Sequence, residues 1–231
     1  MTSQMTPSGS GTPTKARIVV LISGAGTNLQ ALIEAAMATE FPGQIVAVGS
    51  NRPEAAGLQY AEQANIETFV IDHTRYSSRE SFDGELIHKL ENLNPDLIVL
   101  AGFMRILTDD FVRHFRGRLL NVHPSLLPKY QGLKTHARAL EAGDTAHGTS
   151  IHFVTEELDG GPVIAQAQVP VLENDTDQTL GARVQAREHV LYPIIVRWFC
   201  EGRINLSEKD EVLFDGEPIP AILTLPADVY Q

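Results

Sequence analysis

The sequence predicts an α/β fold: a mostly parallel sheet covered by helices on both faces, with antiparallel strands in its second half. Two observations carry this. Through residue 101, short apolar runs of strand length alternate with stretches whose apolar residues return every three or four positions. Strands that alternate with helices point to a parallel sheet buried on both sides. Further on, the apolar runs 149–154 and 163–169 are joined by a Gly-Gly-Pro turn, which points to an antiparallel pair.

The elements follow in order. Residues 18–22 are a β-branched run, read as a fully buried strand. Leu29, Leu32, Ile33, Ala36 and Met37 then recur at helical spacing. Residues 45–48 make a second strand, 54–64 a second helix and 68–71 a third strand. Ser77 and Glu80 have capping-box spacing, ahead of Phe82, Leu86, Leu90 and Leu93 on one helical face. Pro95 breaks that helix before the fourth strand, 97–101. Residues 119–123 form a short strand stopped by Pro124, followed by a loop at 125–133. A long helix over 176–200 has to accommodate Pro193 by a kink. Asp215-Gly216 is a hairpin signal. With no repeats and no internal linker, the chain reads as a disordered extension at 1–14, one domain at 15–204, and a C-terminal extension with a hairpin at 205–231.

Composition narrows the function classes. The chain of 231 residues is long enough for one well-buried domain and short for two. A net charge of −11 argues against sequence-independent nucleic-acid binding, whose affinity comes largely from Lys and Arg on phosphates. An anionic ligand must therefore meet a local basic cluster or backbone N–H groups; Lys129, Lys134, Arg79 and Arg105 are the candidate charges. Cys200 is the single cysteine, so no intrachain disulfide forms and a reducing compartment is expected. No run reaches the length of a membrane span, and the first fourteen residues lack the apolar core of a signal peptide. The expectation is a soluble cytoplasmic protein that binds neither membrane nor nucleic acid. Homodimers are the commonest assembly, which makes a homodimer the default expectation.

The loop after the first strand is Ser23-Gly24-Ala25-Gly26-Thr27-Asn28. Glycines there let backbone approach a ligand, and the following helix offers unpaired N–H groups and its positive end, which suits a phosphate. Leu29 stands where a dinucleotide fingerprint needs a small residue, and Asn51-Arg52 replaces the acidic residue that holds an NAD ribose. A monophosphate fits better than NAD, although Arg52 leaves NADP open. The competing reading is a plain turn capped by Asn28.

Asn121 and His123 lie two apart on a short strand, so their side chains share a face at its carboxyl end. An amide and an imidazole there make a donor pair for a developing oxyanion. The alternative is a loop-bound Asn and a capped, partly buried His. Ser150 and His152 share a face in the same way. His147 and His152 are five apart and point to opposite sides of a strand, which argues against a zinc pair. By local pattern Asp159 belongs to an acidic surface turn, 156–162. Glu188 falls on the apolar stripe of the long helix with Leu180 and Val184, where a carboxylate needs a partner or a ligand.

Several blocks, in order, resemble the phosphoribosylglycinamide formyltransferases, a folate-dependent family. They are Leu119-Leu120-Asn121-Val122-His123-Pro124-Ser125-Leu126-Leu127-Pro128, the runs 147–154 and 158–164, the first loop through Leu32, and Ala101-Gly102-Phe103-Met104-Arg105-Ile106-Leu107. The resemblance covers about residues 17–202. It implies a three-layer, Rossmann-like formyltransferase fold and transfer of a formyl group from 10-formyltetrahydrofolate to the amine of glycinamide ribonucleotide, without a metal. It places Asn121, His123 and Asp159 as the catalytic three. Gly26, Thr27 and Asn28 become the holders of the substrate phosphate, and Glu188 a substrate contact. Arg79, Met104, Arg105, Ile106, Leu107 and Asn121 fall on the folate side. Ala25 and Thr27 stand where relatives often carry Asn and Ser. The rivals are a formyltetrahydrofolate hydrolase, with water in place of the amine, and a nucleotide-binding module without catalysis. Cys200, beside Trp198 and Phe199, reads as packing.

Overall fold

The computed structural model describes residues 14–224. Of the proposed extensions, 1–13 and 225–231 lie outside the described residues. In chain order the elements are β1 (Ala16–Ile22), α1 (Thr27–Ala36), β2 (Gly43–Ser50), α2 (Leu58–Gln63), β3 (Glu67–Val70), α3 (Arg79–Leu93), β4 (Leu97–Leu100), α4 (Asp109–His114) and β5 (Leu119–His123). Then follow α5 (Thr135–Glu141), β6 (Ala146–Phe153), β7 (Val163–Pro170), α6 (Asp177–Cys200), β8 (Ile204–Leu206), β9 (Val212–Phe214), β10 (Glu217–Pro218) and β11 (Leu223–Thr224).

Among the described residues the main sheet has the order β11-β7-β6-β5-β4-β1-β2-β3. Strands β3, β2, β1, β4 and β5 run parallel; β5–β6 and β6–β7 are antiparallel; β11 adds to β7 in parallel. Alternation along β1 divides the core. Ile18, Val20 and Ile22 pack with α1, α2 and α6 on one face. Val19 and Leu21 pack with α3 and α4 on the other. Two such faces make three layers, as the uninterrupted apolar run of β1 requires. A second sheet, β10-β9-β8, contains the hairpin that turns at Asp215-Gly216.

Several details depart from the sequence reading. The second helix begins at Leu58 instead of residue 54, because residues 54–57 turn to bring Gly57 against the first loop: its N–H donates to Gly24 O at 3.0 Å. The capping box of α3 is Ser78 with Ser81, where Ser77 and Glu80 were expected. Ser78 has the extended backbone of a cap, and each of the two side chains accepts the other residue's N–H. Met37 is not on the buried stripe of α1; it is 78% exposed at the helix end. The long helix, in contrast, is as expected: α6 is one helix with Pro193 buried inside it. The short helices α4 and α5 were not anticipated.

Candidate active site

The chain reverses its strand order between β1 and β4, and the carboxyl ends of strands at such a switch point form a crevice. The loops there are tied together. Ser23 Oγ donates to Asn51 Oδ1 and accepts the Met104 N–H at 2.7 Å. Gly26 sits at φ +73° as the N-cap of α1. A Cβ on Gly57 would stand 2.8 Å from Gly26 Cα, so the first loop and the start of α2 touch backbone to backbone.

Within α1 the first N–H groups have no intrahelical acceptor. The side chains beside them are engaged. Thr27 Oγ1 accepts from Gln185, at 3.0 Å, and Asn28 Nδ2 donates to Glu188 Oε2 at 2.8 Å. Asn28 is therefore not the helix cap; its amide reaches across to α6. Glu188 is buried and meets hydroxyl and amide donors, Thr149 Oγ1 at 3.3 Å as well as Asn28. Burial pushes its carboxyl above the ordinary range, and these two hydrogen bonds partly oppose the rise.

Asn121 and His123 stand on one face of β5, as their spacing required. Antiparallel pairing sets His152 opposite Asn121 and Ser150 opposite His123. The His123 Nε2 lies 2.9 Å from Tyr130 O. A carbonyl only accepts, so this nitrogen carries a proton. Nδ1 lies 3.4 Å from Asp159 Oδ2. Asp159 is thus no surface residue: its side chain is 11% exposed, while Glu156 and Glu157 of the same connection face solvent. A left-handed backbone at Asp159 (φ +49°), between Leu158 and the pair Gly160-Gly161, turns the carboxylate inward, where Oδ2 also accepts the Gly132 N–H at 2.9 Å.

The segment 104–107 begins at the same crevice. Met104 and Ile106 are 58% and 54% exposed, and Leu107 packs on the α3–α4 layer. The Arg105 guanidinium lies 5.0 Å over the Phe82 ring. Arg79 is exposed at the first turn of α3. Lys129 is engaged with Asp144 at 3.0 Å, which removes it as a charge reserved for a ligand; Lys134 is exposed.

His147 and His152 do face opposite ways. The former meets His136 Nδ1 through its Nε2 at 3.0 Å, the latter meets Asn121. Among the described residues no group of His, Cys, Asp and Glu could hold a metal ion, and no helix is long and apolar enough to cross a membrane. Burial, with His136 adding to it, pushes His147 down to about 4 from an ordinary 6.5. Between those values the unfolded chain binds more protons than the folded one. Stability should therefore be full above about 6.5 and decline as pH falls toward 4. His147→Gln should shallow that decline in a pH series of urea midpoints without abolishing it, since burial lowers His136, His152 and His189 too. An unaltered slope would contradict the assignment.

Cys200 is a thiol raised to about 12 by burial, as a packing residue should be. Sequence reasoning missed the parts played by Ser23, Asn51, Gly57 and His152. Only strand register could have singled out His152, and register between β5 and β6 is not written in either strand alone.

The chain is also similar to known proteins over most of its length. Residues 16–196 match the family model described as formyl transferase. The phosphoribosylglycinamide formyltransferase of Escherichia coli is 54% identical over 203 residues, 88% of this chain and 95% of that one. That of Haemophilus influenzae is 46% identical over 88% and 96%. The solved phosphoribosylglycinamide formyltransferase of Coxiella burnetii superposes with a TM-score of 0.87 at 49% identity, covering 92% of this chain and all of that one.

Proposed function

The chain belongs to the formyl transferase family, and we propose that it passes a formyl group from 10-formyltetrahydrofolate to the amine of phosphoribosylglycinamide, a step of de novo purine (IMP) biosynthesis. The observation that carries this is the meeting of Asn121, His123 and Asp159 at one strand end, in a chain matching relatives of that name over nearly their whole length.

The neutral substrate amine attacks the formyl carbon. Negative charge moves to the formyl oxygen, which accepts N–H bonds from the Asn121 amide and His123 Nε2. The carbon–nitrogen bond to the folate then breaks, and the proton lost by the attacking amine ends on the leaving nitrogen, with Asp159 relaying it through water. His123 Nε2–H is held by the Tyr130 carbonyl in this structure, so the turn at Tyr130 gives way before that N–H serves an oxyanion. No enzyme nucleophile takes part. Backbone N–H groups at Gly26, Thr27 and Asn28 hold the substrate phosphate at the positive end of α1. Glu188, positioned by Asn28 and Thr149, meets a polar group of the same substrate. Arg79, Met104, Arg105, Ile106 and Leu107 take the folate.

The test is release of tetrahydrofolate with and without the ribonucleotide. Release that requires the amine supports transfer. Release without it makes the chain a hydrolase, and no release makes it a binding module. Gly57→Ala supplies a second check, because its new Cβ meets Gly26 Cα, Ile22 Cδ1 and Gly24 O within 3.2 Å. It should raise the KM for the ribonucleotide on the order of tenfold, about 1.4 kcal/mol of binding, with kcat and the folate KM little changed. An unaltered ribonucleotide KM would detach that loop from phosphate binding.

A further inference from the structure

We propose that His152 is a positioning residue for Asn121: a neutral imidazole that accepts one amide N–H at Nε2, fixing which way the amide faces and leaving its second N–H for the oxyanion. The inference rests on the reading that Asn121 is an oxyanion donor, and goes beyond it by assigning what makes it one.

A free Asn side chain can present either its oxygen or its nitrogen to the reacting group, and only the nitrogen stabilises negative charge. His152 removes the choice. Its Nδ1 lies 2.8 Å from the Phe153 carbonyl. That oxygen can only accept, so Nδ1 carries the proton. The ring is 2% exposed, and burial lowers its affinity for a second proton. Nε2 is therefore a lone pair and needs a donor. The atom beside it is Asn121 Nδ2 at 3.1 Å. Turning the amide over would set its oxygen against that lone pair, losing a partly buried hydrogen bond and adding a repulsion. Asp159 Oδ1, at 3.9 Å, is outside hydrogen-bond reach of Nε2 and does not compete for it. The backbone registers Asn121 directly opposite His152, so the pairing is built into the sheet.

Two variants separate positioning from packing. His152→Phe fills the space without an acceptor, whereas a Gln amide can present oxygen near the position of Nε2. Both leave the Phe153 carbonyl without its donor, so lost stability is common to the two and cancels in the comparison. His152→Phe should lose about 10- to 100-fold in kcat, with both KM values within about threefold and the shape of the pH profile kept. His152→Gln should recover most of that loss. Equal kcat values for the two variants would overturn the proposal. Should the Phe variant not fold, nitrogen-15 imidazole spectra of the unmodified protein decide: above the ordinary imidazole value of 6.5 His152 should be protonated at Nδ1 and bare at Nε2, and a proton on Nε2 would overturn it. Asn121→Ala is measured alongside. If that variant keeps its turnover, the oxyanion reading itself fails; if it loses turnover while the Phe and Gln variants match, only the role of His152 fails.

Discussion

His123→Ala is expected to lower kcat about 10²–10³-fold, the usual consequence of removing one oxyanion donor, while both KM values stay near those of the unmodified protein. The imidazole is buried at the end of β5, with Nε2 donating to Tyr130 O and Nδ1 3.4 Å from Asp159 Oδ2. An interaction made only in the transition state shows in kcat and kcat/KM together, not in KM. Removing the ring also frees the Tyr130 carbonyl, while Asp159 keeps the Gly132 N–H in the same turn. Some loss of order in that turn should accompany the loss of rate. The variant should nonetheless fold, because the β5 pairings to β4 and β6 are made by backbone. A kcat within fivefold of the unmodified protein would remove His123 from the chemistry.

Asp159→Asn is expected to lower kcat about 10²–10⁴-fold, the range of a general acid–base group, with far smaller changes in substrate affinity. The substitution is nearly isosteric and keeps an oxygen to accept the Gly132 N–H. It removes the negative charge that faces His123 Nδ1 at 3.4 Å, and with it the group that relays the amine proton. Affinity measured by titration with a nonreactive folate analogue should hold while turnover collapses. A near-normal kcat would show that Asp159 only shapes the turn.

How far these features could be read in the sequence depends on the distance over which each is encoded. The uninterrupted apolar runs of β1 and β4 announce strands buried on two faces, because period and burial are local properties. The donor pair Asn121–His123 was legible for the same reason: two residues apart on a strand means one face. Asp159 was not. Its local pattern with Glu156 and Glu157 is that of an exposed turn, and only the folded connection between β6 and β7, with a left-handed backbone at Asp159 itself, directs it inward. For that residue the family resemblance, not the pattern, carried the expectation. Glu188 announced itself as a misplaced charge on an apolar stripe, yet its partners Asn28 and Thr149 come from two remote elements. Nothing near residue 54 tells that Gly57 must meet Gly26 backbone to backbone, so the sequence overextends the helix before β3. The Ser23–Asn51–Met104 tie joins three loops and has no signature in any one of them.

The most direct measurement follows the formyl carbon itself. Enzyme in excess over 10-formyltetrahydrofolate carrying a labelled formyl group is mixed with phosphoribosylglycinamide, quenched through a single turnover, and the label is located on protein, product and free formate. Transfer assisted by Asn121, His123 and Asp159 predicts label passing straight from folate to the ribonucleotide amine, with none on the chain and none released when the amine is withheld. Label bound to the protein, or formate appearing without the amine, would contradict it.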